Sequence, residues 1–321
     1  MTRRCVITIG NFDGVHLGHR AILAVARRRA DVAGVEVVAM TFDPPPAAVL
    51  RPGSQPLAVM SLPRRIATLR QCGVDNVRVV APTQEFLQQG AADFVHQMVQ
   101  EHHPIAVVEG PDFRFGRGRA GDNDLLTQMA PQLGFETYVV PRIEVVLHDL
   151  LIAPVKSSLV RWLIGAGRVA DAARCLAQAP ALEGGVVKGE QRGRTIGVPT
   201  VNLDDAALIG RAVPGDGVYA GWVELADGPR HAAAISVGVK PTFGHPRRVV
   251  EAHLLDFRGD LYGQRISVQF ARYLRDQQPF PGVKELVAQL GRDIAAVRRL
   301  RDADLLSPPA LASRYAMQVG S

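Results

Sequence analysis

Cysteine is scarce in this 321-residue chain: Cys5, Cys72 and Cys175 lie far apart, are odd in number and lack CxxC spacing. That excludes a disulfide framework and a cysteine zinc site, and it fits a reducing compartment. Aromatic residues make up only 6% and the basic residues are scattered through both halves. A base-stacking platform therefore has little to build on, and nucleic acid is not an expected partner. No apolar run approaches the roughly 18 residues a membrane span needs. The chain passes from Cys5-Val6-Ile7-Thr8-Ile9 to Gly10-Asn11 before a signal-peptide core can form, so a cytoplasmic location without membrane partners is expected. There is no internal repeat. What the chain does have is 47% hydrophobic and 21% charged residues, the composition of an ordinary globular protein. The net charge of +6 favours anionic ligands. The length favours two domains over one large barrel.

The first half alternates β-branched runs with amphipathic stretches. Strands are expected at Val6–Ile9, Val35–Phe42, Val77–Val80, Ile105–Glu109 and Thr137–Val140. Helical spacing falls at Gly18–Arg29, Leu62–Gln71, Ala91–Glu101 and Asp122–Met129, and again at Ser157–Ala166 and Val169–Leu176. This is the signature of an α/β domain with a parallel sheet. From Gly184 the texture changes to short strands punctuated by Gly, Pro and Asp: Gly185–Val187, Val218–Leu225, Ala232–Val237, Val250–Phe257 and Ile266–Phe270. A small antiparallel β-barrel domain is expected there. A C-terminal helix, Val283–Leu300, carries Leu286, Val287, Leu290, Ile294 and Val297 on the face that should cover the barrel. The boundary falls near Ala177–Glu183, giving domains 1–179 and 180–321, with a loose tail after Asp302.

The segment Gly10-Asn11-Phe12-Asp13-Gly14-Val15-His16-Leu17-Gly18-His19 ends the first strand and opens the first helix. Ligands of parallel sheets bind beyond the carboxyl ends of the strands. Gly10 and Gly14 let backbone approach a ligand, and a helix start offers N–H groups to phosphate. His16 and His19 share one helical turn and can donate to the same phosphate. Downstream, Ser157 and Arg161 place a hydroxyl and a cation at another helix start. In the second half, Gly184 to Leu203 is too glycine-rich for a plain strand, and close approach of a ligand explains that density. Within it lie Gly189, Gly193, Arg194, Gly197 and Pro199, and Thr200 and Asn202 alternate about Val201 so that their oxygens point one way. In Val250-Glu251-Ala252-His253-Leu254-Leu255, alternation puts Glu251, His253 and Leu255 on one face.

Gly-x-Phe-Asp-Gly-Val-His-x-Gly-His resembles the signature of the bacterial bifunctional riboflavin kinase/FAD synthetase family. Thr41-Phe42-Asp43-Pro44 and Gly110-Pro111-Asp112-Phe113-Arg114-Phe115-Gly116 agree with it in order, as do Pro241-Thr242-Phe243-Gly244 and Glu251-Ala252-His253-Leu254-Leu255-Asp256-Phe257. The resemblance runs from about Val6 to about Arg298. It implies an HxGH nucleotidyltransferase-like, Rossmann-type first domain that adenylylates FMN to FAD, and a barrel that phosphorylates riboflavin to FMN. ATP is the implied co-substrate of both reactions and riboflavin, FMN and ATP the partners. It further implies that Asp112 helps hold the nucleotide and that Glu251 is the kinase base. Thr200 and Asn202 supply the oxygens that suit Mg²⁺.

Several places depart from the family pattern. Pro45 stands where the family usually has histidine, Lys156 replaces the first serine of Ser-Ser-Thr-x-Ile-Arg, and Ser158 replaces its threonine; in the second half Val201 replaces alanine in Pro-Thr-Ala-Asn, Lys188 takes a position often held by histidine, and Leu176-Ala177-Gln178-Ala179-Pro180 stands for Leu-Gly-Arg-Pro-Tyr. Because Pro45 and Lys156 both fall in the first half, a kinase-only reading stays open. So does a non-catalytic flavin-sensing or nucleic-acid-binding regulator.

Overall fold

The computed structural model describes residues 4–189, 193, 196–226, 228–240 and 247–306. The expected strands of the first half form one sheet: β1 (Cys5–Ile9), β2 (Glu36–Phe42), β3 (Asn76–Val80), β4 (Pro104–Glu109) and β5 (Glu136–Val139). Their order is β3-β2-β1-β4-β5, and every pairing is parallel. β1 is buried along its whole length, which is why all but Thr8 of its residues are apolar. Alternate residues still sort to opposite faces. Val6 joins one core with Val37, Ala39, Ala106 and Val108, whereas Cys5, Ile7 and Ile9 join another with Val38, Met40 and Val107.

Helices cover both faces. α1 (Leu17–Ala33) starts at His16, whose ring accepts from the His19 N–H, and ends at Gly34 with φ 65°. A short α2 (Pro46–Leu50) follows β2. α3 (Leu62–Gln71) is capped by the Ser61 hydroxyl. Then come α4 (Gln84–Gln88), α5 (Ala91–His102) and α6 (Asn123–Leu133). α6 runs four residues past its expected end at Met129 and through Pro131, because Leu126 and Ala130 bury an apolar face and the helix stops only at Gly134, φ 75°. The elements not expected include α2, α4 and the hairpin of β6 (Glu144–Val146) and β7 (Ile152–Pro154), all too short to show a period. α7 (Ser157–Gly165) and α8 (Val169–Leu176) then return to the α1 side, burying Val160, Leu163, Ile164, Ala172, Cys175 and Leu176.

The second half is a closed antiparallel barrel of β8 (Ala181–Val187), β9 (Val201–Leu203), β10 (Gly217–Leu225), β11 (Arg230–Lys240), β12 (Arg247–Leu254) and β13 (Arg265–Arg275), in the order β10-β11-β12-β9-β8-β13. Closure removes the exposed edges that an open sheet of this size would leave. The expected strand to Phe257 stops at Leu254. Asp256 turns to φ 59° and pairs with Arg298 and Arg301 of the last helix, α9 (Val283–Asp302). Along α9, Val297 is fully buried against Ala220, Ala232 and Ala271, while Val287 is 39% exposed. The expected five-residue face is therefore one residue too wide. The expectation for Pro241–Gly244, Arg194 and the end of the tail lies outside the described residues. Among the described residues, no helix is long and apolar enough to cross a membrane.

The two halves are tied together. Glu183 of β8 accepts from the Ser61 hydroxyl at 2.5 Å and pairs with Arg64 at 3.2 Å, and Arg64 also reaches Ser267 at 3.1 Å. The Ala58 N–H donates to the Gly210 carbonyl at 2.7 Å, and the Ala212 N–H donates back to Ala58 at 2.9 Å.

Gly221 of β10 tests the barrel. A Cβ there would lie 1.9 Å from the Gln269 carbonyl oxygen of β13 and 2.9 Å from Ile235. Neither backbone can retreat without breaking the ladder. Gly221→Ala is expected to cost about 3 kcal/mol or more, read as a lowered melting transition; a melting point within 2 °C of wild type, allowing about that much for scatter, would refute the close approach.

Candidate active sites

The first site lies where β1 and β4 part at the centre of the sheet, the switch point at which ligands enter doubly wound folds. The loop that builds it is held in an uncommon conformation. Phe12 and Val15 adopt φ 46° and 42°, flanking Gly14 at 85°. A β-branched valine in this region is strained, and packing must hold it there. Arg65 does part of that, donating to the Asn11 carbonyl at 2.8 Å and to the Phe42 carbonyl at 3.1 Å.

Beside this loop is a cavity of about 230 Å³ whose wall includes Gly10, Phe12, His16, His19, Asp112 and Ser157. The two imidazoles stack with ring centres 3.7 Å apart and planes 16° apart. His16 Nδ1 accepts from the His19 N–H at 3.4 Å, so its own proton belongs on Nε2. Burial lowers the His16 pKa to about 4, with the Arg161 charge adding to the effect. Burial and the neighbouring His16 lower that of His19 as well. Both rings are therefore neutral donors near pH 7. The Nδ1 of His19 is buried with no hydrogen-bond partner among the described residues, a deficit that native structures rarely leave without a reason.

Three of the expected residues face elsewhere. Asp13 is buried, accepting from the Val59 N–H at 2.9 Å and the Met60 N–H at 3.2 Å while pairing with Arg161 at 3.0 Å. Arg161 spends its Nε on the Leu57 carbonyl at 2.7 Å. Gly14 has no room for a side chain, since a Cβ would sit 2.9 Å from Leu176. These residues brace the loop and do not line the cavity. Ser157 does both, donating to the Asp13 carbonyl at 3.0 Å. Pro45 is the N-cap of α2 and is not part of the cavity wall either.

Two ionisable residues of the cavity wall were not singled out in the sequence, Arg142 and Glu109. Arg142 comes from the segment after β5 and has no motif of its own; Lys156, a departure from the family pattern, reads from the sequence as a point charge suited to a triphosphate. Glu109 is 4% exposed and ends β4 in the cavity wall. Its position did carry a signal, a lone acid at the carboxyl end of a buried parallel strand. Its Oε1 accepts from the Ile9 N–H at 2.6 Å.

The second cavity, about 380 Å³, lies between the barrel wall and α9. Glu251 and His253 project into it from β12 together with Thr200 and Gly193, and Leu286, Leu290 and Ile294 of α9 form an apolar wall opposite. Leu255, expected on the same face as Glu251, lies past the strand end and is buried under α9. His253 Nδ1 is 2.8 Å from the Pro199 carbonyl, which ties the glycine-rich loop to β12. The loop doubles back tightly: the Val198 N–H donates to the Gly193 carbonyl at 2.8 Å, and a Cβ on Gly193 would meet the Val198 oxygen at 2.3 Å. Gly197 takes φ 78°. Asn202 is the cross-strand partner of Glu251, and its amide lies 2.5 Å from where a Gly189 Cβ would be. It sits beside the cavity wall, of which Thr200 is a part. Sequence reasoning missed Arg275, which enters the wall from the end of β13 and makes a two-pronged pair with buried Asp293 at 2.7 Å.

Burial pushes the Glu109 carboxyl well above its ordinary 4.5, an effect that the Ile9 N–H only partly offsets. The folded state thus keeps a proton that the unfolded chain releases above that pH. Stability is greatest below it and declines as pH rises. Glu109→Gln keeps the acceptor and removes the titration. It is expected to melt about 3 °C or more above wild type at about pH 8, with the gap closing toward about pH 5; a gap that does not change with pH would contradict a protonated Glu109.

Comparison with known proteins places both halves. The FAD synthetase family matches residues 1–149 and the riboflavin kinase family residues 176–301. A bifunctional riboflavin kinase/FMN adenylyltransferase of Pseudomonas fluorescens is 38% identical over 300 residues, 93% of each chain. One of the same name from Escherichia coli (strain K12) is 34% identical over 92% of each chain. The crystal structure of a macrolide-efflux protein from Streptococcus pneumoniae superimposes with a TM-score of 0.84 at 30% identity, covering 93% of this chain and 95% of that one. With both domains matched in order and relatives aligned over nearly their full length, this chain belongs to the bifunctional riboflavin kinase/FMN adenylyltransferase family.

Proposed function

We propose that the chain converts riboflavin and ATP to FMN and ADP in the barrel domain, residues 180–321, and joins FMN to the AMP of a second ATP in the α/β domain, residues 1–179, releasing pyrophosphate. Its partners are the small molecules riboflavin, FMN and ATP, and its place of action is the cytoplasm. The observation that carries this reading is the presence of two separate cavities in one chain, each built from the residues of its own motif.

In the α/β cavity, the neutral imidazoles of His16 and His19 donate to the α-phosphate, where negative charge builds as FMN attacks and pyrophosphate departs. The first turn of α7, with Ser157, offers further donors. Gly10 leaves room for the phosphate chain. Asp13, Gly14 and Arg161 act by fixing the loop that aims these groups.

In the barrel cavity, Glu251 accepts the proton of the ribityl hydroxyl as it attacks the γ-phosphate. His253 anchors the Pro199 carbonyl and with it the loop that carries Gly193 and Gly197 beside the nucleotide. Leu286, Leu290 and Ile294 provide an apolar surface suited to a flat heteroaromatic ring. Mg²⁺ fits beside Thr200 and Asn202. Their oxygens are hard donors, and glycine at 189 is what leaves the Asn202 amide its place, since a Cβ there would lie 2.5 Å from it. Bound there, the ion would neutralise phosphate charge while keeping most of its waters.

Chromatography of products from riboflavin, ATP and Mg²⁺ tests the whole reading, and FAD is the expected final product. FMN accumulating without FAD would restrict the activity to the barrel. Glu251→Gln is expected to lower FMN formation by about a hundredfold or more while leaving FAD formation from supplied FMN intact; equal loss of both would refute separate sites. Replacing His16 and His19 together by alanine is expected to do the reverse, cutting FAD formation by about a hundredfold or more. An unchanged FAD yield would remove the imidazoles from the reaction.

A further inference from the structure

The adenylylating cavity must hold a triphosphate of about four negative charges, yet its interior offers few formal positive ones. His16 and His19 are neutral there, for the reasons given above. Arg161, the cation that the motif brings to α7, is turned away and committed to Asp13 and the Leu57 carbonyl. Among the described residues that line the cavity, the permanent cations are Arg142 and Lys156.

These two come from different elements and meet on one carboxylate. Arg142 grips Asp112 with two prongs, Nε to Oδ2 at 3.2 Å and Nη2 to Oδ1, and the Lys156 Nζ lies 3.5 Å from Oδ2. All three side chains are about half exposed at the cavity rim. Lys156 is also the N-cap of α7 and makes no side-chain cap bond. The Ser157 hydroxyl is spent on the Asp13 carbonyl, so neither side chain caps the first-turn N–H groups. The rim therefore gathers two cations and a helix start, less one carboxylate. That is a surplus of positive charge at the entrance, with neutral donors within.

We propose that Lys156 and Arg142 hold the β- and γ-phosphates of ATP and the pyrophosphate that leaves, and that Asp112 is a positioning residue that keeps these two side chains side by side at the rim. This rests on the adenylyltransferase reading above. Phosphate oxygens replace the Asp112 carboxylate as partners when ATP enters, and the pair is restored when pyrophosphate departs. A lysine suits this role as a mobile point charge, and arginine as a two-pronged clamp on phosphate.

The full chain carrying Lys156→Met or Arg142→Met tests this, with FMN and ATP as substrates and FMN formation in the barrel as the control for folding. Each variant is expected to raise KM for ATP, and the inhibition constant of inorganic pyrophosphate, by about tenfold, while KM for FMN and the barrel activity stay within about twofold, the scatter of an independent site. Lys156→Arg is expected to keep most of the wild-type pyrophosphate affinity. Asp112→Asn is expected to shift KM for ATP in the wild-type background but not in the Lys156→Met/Arg142→Met double variant, because a positioning residue has nothing left to position. An Asp112→Asn effect that persists there would make Asp112 a direct ligand and overturn its assigned role. Unchanged ATP and pyrophosphate constants in both single variants, in a chain whose wild type makes FAD, would overturn the assignment of the cations. A wild type that makes no FAD would instead sink the reading on which it rests.

Discussion

The buried carboxylate of Asp13 is the joint on which both halves depend. It accepts the Val59 and Met60 N–H groups on one side and the Arg161 guanidinium on the other. In doing so it fixes the strained loop before α1, the start of α7 and the segment that follows Leu57. That same segment forms the strand-like exchange between Ala58 and Gly210–Ala212 of the barrel half. A buried ion pair of this kind adds little net stability over an apolar substitute, but breaking it leaves a charge without a partner at a cost of about 3–5 kcal/mol. Its value is geometric, because the phosphate-facing side chains can be aimed only if their loop cannot relax.

That dependence explains what the sequence could and could not reveal about the first site. Strand positions, the glycine loop and the helix starts were legible because each leaves a local trace. Which way a side chain points within the loop was not. With Phe12 and Val15 in the left-handed region, alternation rules fail between Gly10 and His16. Asp13 then reads as a ligand residue although it faces the interior. The pairing of Arg161 was hidden too, since its partner Asp13 lies 148 residues away. Arg142 had no local pattern, and only the fold sets it against Asp112.

In the barrel the balance differs. Glu251 and His253 were legible because β12 is a regular strand and period-two alternation holds along it. Leu255 was misplaced because that strand ends at Leu254, where Asp256 turns to meet two arginines of α9. Such a long-range ion pair leaves no periodic signal. β9 is only three residues long, too short to show alternation, yet it carries Asn202 opposite Glu251. Val287 was assigned to the covered face because the apolar stripe on α9 is wider than the contact. Val297 fills the groove over Ala220, Ala232 and Ala271, whose small side chains set how closely the helix can approach.

The two cavities solve the problem of phosphate charge in different ways, and the difference follows from where each one lies. The first is set into the carboxyl ends of the buried central strands β1 and β4, where desolvation disfavours the charged forms of His16, His19 and Glu109. An interior of neutral donors suits a step in which charge appears and then leaves, because a fixed buried cation would hold pyrophosphate after the reaction. Formal charge is therefore confined to the rim, where solvent screens it and Asp112 balances it in the free protein. The second cavity lies outside a closed barrel, between strands and a helix, and one side of it is apolar. There Glu251 and His253 lie in the wall beside Thr200, facing the apolar side chains of α9. Placing the two sites in separate folds lets each cavity keep its own surroundings, one set among neutral buried donors and the other against an apolar helix face.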